Sequence, residues 1–230
     1  MTASPDIILI RHAQSEWNAQ NRFSGWADPL LTADGEKEAH KAGQLLEKKG
    51  YQFKHAFCSR LTRSRQTLDI ILGVLGQSDL SVTEDWRLNE RHYGTLQGGI
   101  KSAEAQDVSE EQIWRWRRSY LDKAEPLLEQ DPRHPMNDPR YADVDPALLP
   151  SVENLAETRI RAMAFWRERV EPLLSQPGGI LVSSHGNTLR ALLMGLTEMS
   201  VHDVEQFEIP TGTLIRVEKR SSSYSWEYLG

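Results

Sequence analysis

The sequence is poor in cysteine: Cys58 is the one cysteine among 230 residues. A single thiol excludes an internal disulfide framework and cannot form the CxxC spacing of a metal site. Cys58 lies in a short apolar run, so we expect a small buried side chain rather than a reactive thiol. The fold must then depend on a hydrophobic core, for which 39% hydrophobic residues are sufficient at this length.

Long hydrophobic runs are also absent, since no apolar stretch approaches the roughly 20 residues of a membrane-spanning helix. Residues 1–6 (MTASPD) lack the basic and apolar regions of a signal peptide. These two absences predict a cytoplasmic protein with no membrane partner. The net charge of −6 argues against a nucleic-acid surface, but not against small anions, which need only local cations.

Short apolar runs alternate with amphipathic segments, which predicts an α/β fold with a mostly parallel central sheet flanked by helices on both faces. The apolar runs predict strands over residues 7–10, 56–59, 80–83 and 180–184. Helical spacing, with Thr32 as an N-cap, predicts helices over residues 32–50, 68–75, 155–174 and 188–196. Alternation at the end of the chain predicts a hairpin formed by residues 213–218 and 224–228, joined across residues 220–223.

We interpret residues 1–230 as a single domain with an insertion at about residues 98–150. The insertion contains a helix near residues 110–120, followed by a stretch rich in proline. Long irregular segments in compact domains are usually functional, so we expect the insertion to pack over the site at one edge of the sheet.

Two apolar runs end in the same way. Residues 7–10 stop at Arg11 and His12, and residues 180–184 stop at His185. If these strands are parallel neighbours, both imidazoles meet at the carboxyl edge of the sheet, where ligands bind in open α/β folds. Either histidine alone is more simply explained as a structural residue, but the repeated placement favours a functional site.

The residues near that edge suit phosphoryl chemistry. Arg11 and Arg63 could hold phosphate oxygens with their planar guanidinium groups. Helix N-termini after Thr62 and Asn187 could add backbone N–H donors. A neutral imidazole is a good nucleophile toward phosphorus, and Glu90 could protonate the leaving oxygen. Other arginines are expected to be surface charges, namely Arg87, Arg91 and Arg133.

The segments around these residues resemble the histidine phosphatase superfamily, and more closely the cofactor-dependent phosphoglycerate mutase family. The resemblance extends along nearly the whole chain and is carried by residues 11–18 (RHAQSEWN), 21–26 (NRFSGW), 87–94 (RLNERHYG), 116–120 (WRRSY), 138–141 (DPRY), 184–187 (SHGN) and 209–212 (IPTG). The RLNERHYG and WRRSY segments are the specific ones, because general phosphatases of the superfamily usually lack them.

The resemblance implies a phosphoglycerate mutase-like fold in which His12 is the phosphorylated nucleophile and Glu90 the general acid/base. It implies that the transferring phosphoryl group is held by Arg11, Arg63 and His185. It assigns the substrate to Asn18, Ser24, Gly25, Tyr93, Lys101, Arg117, Arg118, Gly186 and Asn187. It further implies priming by 2,3-bisphosphoglycerate, interconversion of 3- and 2-phosphoglycerate in glycolysis and gluconeogenesis, no metal, and a homodimer or homotetramer.

Alternatives remain open at this stage. The same residues could serve a metal-independent histidine phosphatase or a bisphosphoglycerate synthase/phosphatase of the same superfamily. A silent binding module would be expected to lose catalytic residues that are present here. Two departures from the family pattern bear on the site: Ala13 replaces the usual glycine after the histidine, where its Cβ could press on the phosphate loop, and residues 98–101 read GGIK rather than GLNK, which affects the placing of Lys101.

Overall fold

The computed structural model describes residues 5–220 and 223–230 and contains a six-stranded sheet in the order β3-β2-β4-β1-β5-β6. The strands are β1 (Ile7–Arg11), β2 (Phe53–Cys58), β3 (Val82–Glu84), β4 (Gly179–Ser184), β5 (Leu214–Lys219) and β6 (Tyr224–Leu229). Strands β1 to β4 pair in parallel, and the β5–β6 hairpin adds to β1 in antiparallel orientation. The mostly parallel sheet and the terminal hairpin predicted from the sequence are confirmed, although β3 begins two residues later than expected.

Eight α-helices surround the sheet in the described part of the chain. They are α1 (Glu16–Ala19), α2 (Ala33–Lys48), α3 (Thr62–Val74), α4 (Ala103–Gln106), α5 (Glu110–Arg118), α6 (Leu155–Phe165), α7 (Gly186–Leu196) and α8 (Val201–Gln206). Thr32 caps α2 as predicted, since its side chain accepts a hydrogen bond from Gly35 N at 3.0 Å. No helix in the described ranges is long and apolar enough to span a membrane.

The two faces of β1 pack against different helices. Ile7 and Leu9 belong to a buried cluster that includes side chains of α6 and α7, whereas Ile8 and Ile10 belong to a second cluster formed with α2 and α3. Each fully buried side chain of this kind contributes about 1.5–3 kcal/mol of transfer free energy. The continuous apolar run of β1 is therefore explained by burial on both faces, and the expected helices on both faces are confirmed.

The helix predicted over residues 155–174 is not uniform. It is α-helical to Phe165, forms a π-turn over Trp166–Val170 and ends in a 3₁₀-turn over Glu171–Leu173. Pro172 lacks an N–H donor and clashes with the carbonyl four residues before it, so a regular α-helix cannot continue through it. Helix α7 also departs from the prediction, because it begins at Gly186 rather than at Thr188.

Residues 98–150 contain α4, α5 and several 3₁₀-turns. Part of this segment has its own small core, in which Tyr141, Val144 and Leu149 pack with Trp26. The first four residues, and Ser221 and Ser222 in the predicted hairpin turn, lie outside the described residues.

Candidate active site

Strands β1 and β4 end side by side at one edge of the sheet. Arg11 pairs with Ser184 in the parallel register, so the next residues, His12 and His185, are neighbours. Their ring centroids are 4.8 Å apart and the ring planes are inclined at 59°. The two strand–histidine units therefore meet as the sequence predicted, because β1 and β4 are adjacent and parallel.

The His12 ring is buried and oriented by the backbone. Its Nδ1 lies 2.7 Å from Ala13 O and donates to it, which leaves a lone pair on Nε2. Arg63 Nε donates to that lone pair at 3.3 Å. Burial, and then the charges of Arg63 and Arg11, hold the pKa of His12 well below its usual range. The imidazole is therefore neutral near pH 7, and Nε2 is the atom available as a nucleophile.

The His185 ring has one partnered nitrogen and one without a partner. Its Nε2 lies 2.7 Å from Ser59 Oγ, which also accepts a hydrogen bond from Leu61 N at 3.2 Å. Its Nδ1 is buried and has no hydrogen-bond partner in the described chain. If the Ser59 hydroxyl donates to Nε2, Nδ1 carries the proton and is a buried donor without a partner among the described residues. Burial, with the nearby charge of Arg63, lowers the pKa of His185, which keeps the ring neutral at physiological pH.

Arg63 is fully buried at the start of α3. Its guanidinium donates to Ala27 O at 2.8 Å and to Gly25 O at 3.0 Å, which fixes its plane beside His12. Burial lowers the pKa of Arg63 to about 10, so the group remains a cation at physiological pH. The buried positive charge raises the affinity of this end of the site for an anion.

Arg11 lies on the other side of His12, against the start of α7. Its Nη1 donates to Ile209 O at 2.5 Å, whereas its Nε is buried without a hydrogen-bond partner among the described residues. A Cβ at Gly186 would lie 3.3 Å from both Cζ and Nε of Arg11. Glycine at this position lets the guanidinium approach the helix N-terminus, and the unpartnered Nε is a donor for an anion.

The Glu90 carboxylate lines the same space. Its Oε1 accepts hydrogen bonds from Arg91 N at 2.8 Å and Asn187 N at 3.2 Å. Because both of these bonds fall on Oε1, Oε2 can exchange a proton with a bound molecule. The backbone of Asn187 belongs to the first turn of α7, so the N-terminus of this helix holds a carboxylate of the protein itself.

A buried ion pair supports the Glu90 loop from behind. Arg161 donates to the carbonyl oxygens of Asn89 and Glu90 at 2.8 and 2.9 Å, and it pairs with Glu153 at 2.6 Å. The indole of Trp26 also donates to Glu90 O at 2.6 Å. Sequence reasoning missed this support, since an arginine in an amphipathic helix gives no signal that it is buried.

A second group of cations in the site comes from residues 98–150. Lys101, Arg117 and Arg118 line the cavity there. Burial lowers the pKa of Lys101, and the neighbouring charge of Arg117 lowers it further. Arg118 is in contact with the Glu208 carboxylate at 2.6 Å.

A hydrogen-bonded chain on α7 adds a further cation. Asn187 Nδ2 donates to the Tyr93 hydroxyl at 3.0 Å, and Arg190 Nη1 donates to Asn187 Oδ1 at 2.8 Å. Burial lowers the pKa of Arg190 to about 9, which leaves it charged at pH 7. Arg190 was not predicted, although it follows Asn187 by three residues on a helix and therefore shares a face with it.

These elements enclose one cavity of about 210 Å³. It is lined by Arg11, His12, Asn18, Ser24, Gly25, Arg63, Glu90, Tyr93, Lys101, Arg117, Arg118, Gly186, Asn187, Arg190, Glu208, Ile209 and Pro210. All the site residues predicted from the sequence lie on this wall except His185, which stands behind it against His12. The wall carries six arginine or lysine side chains and two carboxylates, although the chain as a whole is acidic.

Three predicted residues sit on the loop side of the cavity. Asn18 Oδ1 accepts from the backbone N–H and the hydroxyl of Ser15, at 3.1 and 2.9 Å, which caps α1. Ser24 Oγ is buried without a hydrogen-bond partner in the described residues. Gly25 has a φ of +49°, a conformation that a side chain would strain. These residues can contact a ligand without any rearrangement of the sheet.

The expectation that the N-terminus of α3 offers backbone donors to a phosphate is wrong. Thr62 N and Oγ1 both donate to the Asp28 carboxylate, at 2.7 and 2.6 Å. A side chain of the protein therefore caps this helix start, and Arg63 is the group of this segment that reaches the cavity.

The concern about Ala13 is not supported. Its side chain is buried in a small apolar cluster with Leu31 and Ala39, and Ala13 is not part of the cavity wall. Arg91 is also unlike the prediction, because it is buried rather than a surface charge, with its guanidinium 4.8 Å from the centre of the Tyr93 ring. The aromatic face and a nearby carbonyl offset the cost of burying this charge.

Across residues 5–220 and 223–230, no group of three or more His, Cys, Asp or Glu side chains is placed to hold a metal ion.

Comparison with known proteins identifies the family. The family description "Histidine phosphatase superfamily (branch 1)" matches residues 7–134 and 127–230. The chain belongs to this superfamily. It is 43% identical over 226 residues to the 2,3-bisphosphoglycerate-dependent phosphoglycerate mutase of Borreliella burgdorferi (strain ZS7), covering 97% of this chain and 91% of the relative. It is 44% identical over 205 residues to the protein of the same name from Parabacteroides distasonis, covering 89% and 83% of the two chains.

Solved structures agree on the histidine phosphatase fold. A mycobacterial glucosyl-3-phosphoglycerate phosphatase superposes with a TM-score of 0.74 at 18% identity, covering 98% of each chain. A phosphoglycerate mutase from Bacillus anthracis superposes with a TM-score of 0.69 at 21% identity, covering 99% and 94% of the two chains. At these identities the comparison shows the fold alone. Both a phosphatase and a mutase share that fold.

Proposed function

We propose that this member of the superfamily interconverts 3-phosphoglycerate and 2-phosphoglycerate through a phosphohistidine. One observation carries the proposal: two groups of cations line one cavity. Arg11 and Arg63 lie beside the His12 nucleophile, and Lys101, Arg117 and Arg118 form the second group, which we take as the far end of the cavity. Two anion-binding ends suit a small acid with a phosphate and a carboxylate, and long, nearly complete relatives at 43–44% identity carry the mutase name.

The proposed priming ligand, 2,3-bisphosphoglycerate, fits the residues present. The Arg11 Nε is buried and lacks a partner within the described residues, and the far end adds three further cations, so a ligand with phosphates at both ends is suited to the cavity. Such a ligand would be held by Arg11, Arg63 and His185 at one end and by Lys101, Arg117 and Arg118 at the other. When bound, 2,3-bisphosphoglycerate supplies the phosphoryl group that primes the enzyme.

In the proposed mechanism, His12 carries the phosphoryl group. The phosphorylated His12 is attacked by the hydroxyl oxygen of a phosphoglycerate, a P–O bond forms, and the Nε2–P bond breaks. Glu90 accepts the hydroxyl proton in this step. In the reverse sense, Nε2 attacks phosphorus and Glu90 returns the proton to the leaving oxygen. Arg11, Arg63 and the Nδ1–H of His185 stabilise the charge on the equatorial oxygens.

The substrate must be held while its phosphate position changes. Lys101, Arg117 and Arg118 would bind the carboxylate or second phosphate, with Tyr93 and Asn187 orienting the carbon chain. Asn18, Ser24, Gly25 and the backbone of Gly186 would complete the pocket. Residues 98–150 would act as an insertion within one domain, 1–230, and would shield the phosphohistidine from water.

The test is a coupled assay that converts 3- to 2-phosphoglycerate, with and without 2,3-bisphosphoglycerate and with EDTA present. We expect turnover that depends on 2,3-bisphosphoglycerate and is insensitive to EDTA. Release of inorganic phosphate without isomer formation would favour a phosphatase or bisphosphatase, and turnover that requires a metal would contradict the proposal. A cytoplasmic location, a homodimer or homotetramer, and the lack of nucleic-acid and membrane partners are further predictions.

A further inference from the structure

The cavity wall contains one carboxylate that the proposed mechanism does not use. Glu208 lies between α8 and β5, and its Oε1 is 2.6 Å from Nη2 of Arg118. The Glu208 side chain is 68% exposed and the Arg118 side chain 19% exposed. An exposed carboxylate on the cavity wall therefore occupies a largely buried cation that is assigned above to the substrate.

Hydrogen bonds from cavity arginines hold the backbone on both sides of Glu208. Arg11 Nη1 donates to Ile209 O at 2.5 Å, and Arg118 Nη1 lies 3.5 Å from Phe207 O. The main chain is thus fixed, whereas the exposed side chain of Glu208 can rotate into solvent. The contact with Arg118 can be broken without moving the wall.

The charges around Arg118 explain why this contact forms. Burial, together with the charge of Arg117 nearby, lowers the pKa of Arg118, and the carboxylate of Glu208 opposes that shift. Two adjacent cations without a ligand repel each other, and a carboxylate beside one of them reduces that repulsion. A bound substrate carboxylate would provide the same compensation, so Glu208 and the substrate compete for one guanidinium.

We propose that Glu208 is a specificity-determining residue that occupies Arg118 in the empty enzyme and yields it to the second anionic group of the substrate. This proposal rests on the function proposed above. Because displacement of Glu208 costs free energy, the contact weakens the binding of two-ended anions more than the binding of a single phosphate beside Arg11, which the Glu208 charge also reaches. It also favours release of the product, since Glu208 can replace the departing carboxylate.

The experiment measures dissociation constants for the dephosphorylated enzyme by calorimetry. The variants are Glu208→Gln and, as a control, Glu104→Gln, which removes the same charge from an exposed position on α4. The ligands are 3-phosphoglycerate, which reaches both ends, and inorganic phosphate, which needs only one. Since an exposed ion pair is worth at most about 1 kcal/mol, Glu208→Gln should tighten 3-phosphoglycerate binding about 2- to 5-fold. Inorganic phosphate binding should tighten less than 3-phosphoglycerate binding, and neither ligand should respond to Glu104→Gln.

Steady-state kinetics supply a second measurement. The KM of Glu208→Gln for 3-phosphoglycerate should fall by the same factor, and kcat should not rise. Unchanged or weaker 3-phosphoglycerate binding would overturn the proposal, as would equal tightening of both ligands, because that would indicate a general electrostatic effect. If Glu208→Gln shows the binding contrast but the wild-type protein has no mutase turnover, the result would count against the proposed function alone. An active mutase without the contrast would count against the role of Glu208 alone.

Discussion

The two ends of the cavity are built in different ways. The phosphoryl end is formed by residues at the carboxyl edge of the parallel strands, where His12 and His185 are fixed by the register of β1 and β4. The other end, called the acid end because it would bind the acid group of the substrate, lies outside the sheet. It is formed by Lys101 and by Arg117 and Arg118 of α5. The first end depends on the core of the fold, whereas the second depends on α5 and on the irregular chain that precedes α4.

We infer from this difference that one end serves bond making and the other serves substrate binding. Groups on the sheet edge are held by backbone hydrogen bonds and burial, which suits atoms that must be placed accurately for bond making. Groups on residues 98–150 can differ between relatives without disturbing the sheet. We therefore expect substitutions at the phosphoryl end to lower kcat and substitutions at the acid end to raise KM, and the following predictions test that contrast.

The largest effect is expected for His12→Ala. Removal of Nε2 abolishes the proposed nucleophile, so kcat should fall by about 10⁴-fold or more. His40→Ala, at an exposed position on α2, is the matched control and should behave as wild type. The measurement is the coupled mutase assay at saturating 3-phosphoglycerate. Activity within about tenfold of wild type would contradict the assignment of His12 as the nucleophile.

Glu90→Gln should have the next largest effect. The amide keeps the size of the side chain but cannot exchange the proton, so kcat should fall about 10²- to 10⁴-fold. KM should change little, since Glu90 does not hold the substrate anions. Glu104→Gln serves as the control for loss of one negative charge. A main effect on KM would place Glu90 in binding rather than in proton transfer.

A smaller effect is expected for Gly186→Ala. The new Cβ would lie 3.3 Å from Cζ and Nε of Arg11, so the guanidinium must give way by a few tenths of an ångström, which weakens its hydrogen bonds to the phosphoryl group. Loss of one charge-assisted hydrogen bond corresponds to a fall of about 10- to 100-fold in kcat. Gly73→Ala, in a helix where the added methyl would lie 4.0 Å from Ser78 Oγ without a clash, is the control and should retain full activity. Equal activity of the two variants would show that Arg11 does not need its present position.

The smallest effect concerns pH and the acid end. The pKa of Lys101 is lowered from its ordinary 10.5 by burial, so the side chain loses its charge at a lower pH than a surface lysine does. Below that pKa the ammonium binds the substrate anion, and above it KM should rise, by roughly 3- to 10-fold. Lys101→Arg keeps the charge and should move this alkaline rise in KM to higher pH.

Lys123→Arg, on the surface and paired with Glu157, should leave the pH profile of KM unchanged. If KM rises at the same alkaline pH in Lys101→Arg and in wild type, another group is responsible for the rise.

Much of the phosphoryl end could be predicted because it follows from strand patterning. The apolar runs before His12 and His185 identify two buried strands, and buried strands in an α/β pattern are parallel, which brings their ends together. The residues of the acid end were recognised through family resemblance instead. No periodicity in residues 98–150 indicates that Lys101 and Arg117 face the same space as His12.

Other features could not be predicted because they depend on tertiary partners. Arg91 and Arg161 are buried only because aromatic faces, carbonyl groups and the carboxylate of Glu153 surround them. The capping of α3 by Asp28 joins residues that are distant in sequence. An arginine or aspartate has the same appearance in the sequence whether its partners lie in solvent or in the fold.

The central claim is that His12, and not its neighbour His185, carries the phosphoryl group. It is tested most directly by mixing the protein with 2,3-bisphosphoglycerate and locating the acid-labile phosphate by mass spectrometry under alkaline conditions. The account predicts one phosphoryl group on His12, its loss on addition of 3-phosphoglycerate, and its absence in His12→Ala. A phosphoryl group on His185, or mutase turnover without any phosphorylated histidine, would contradict it.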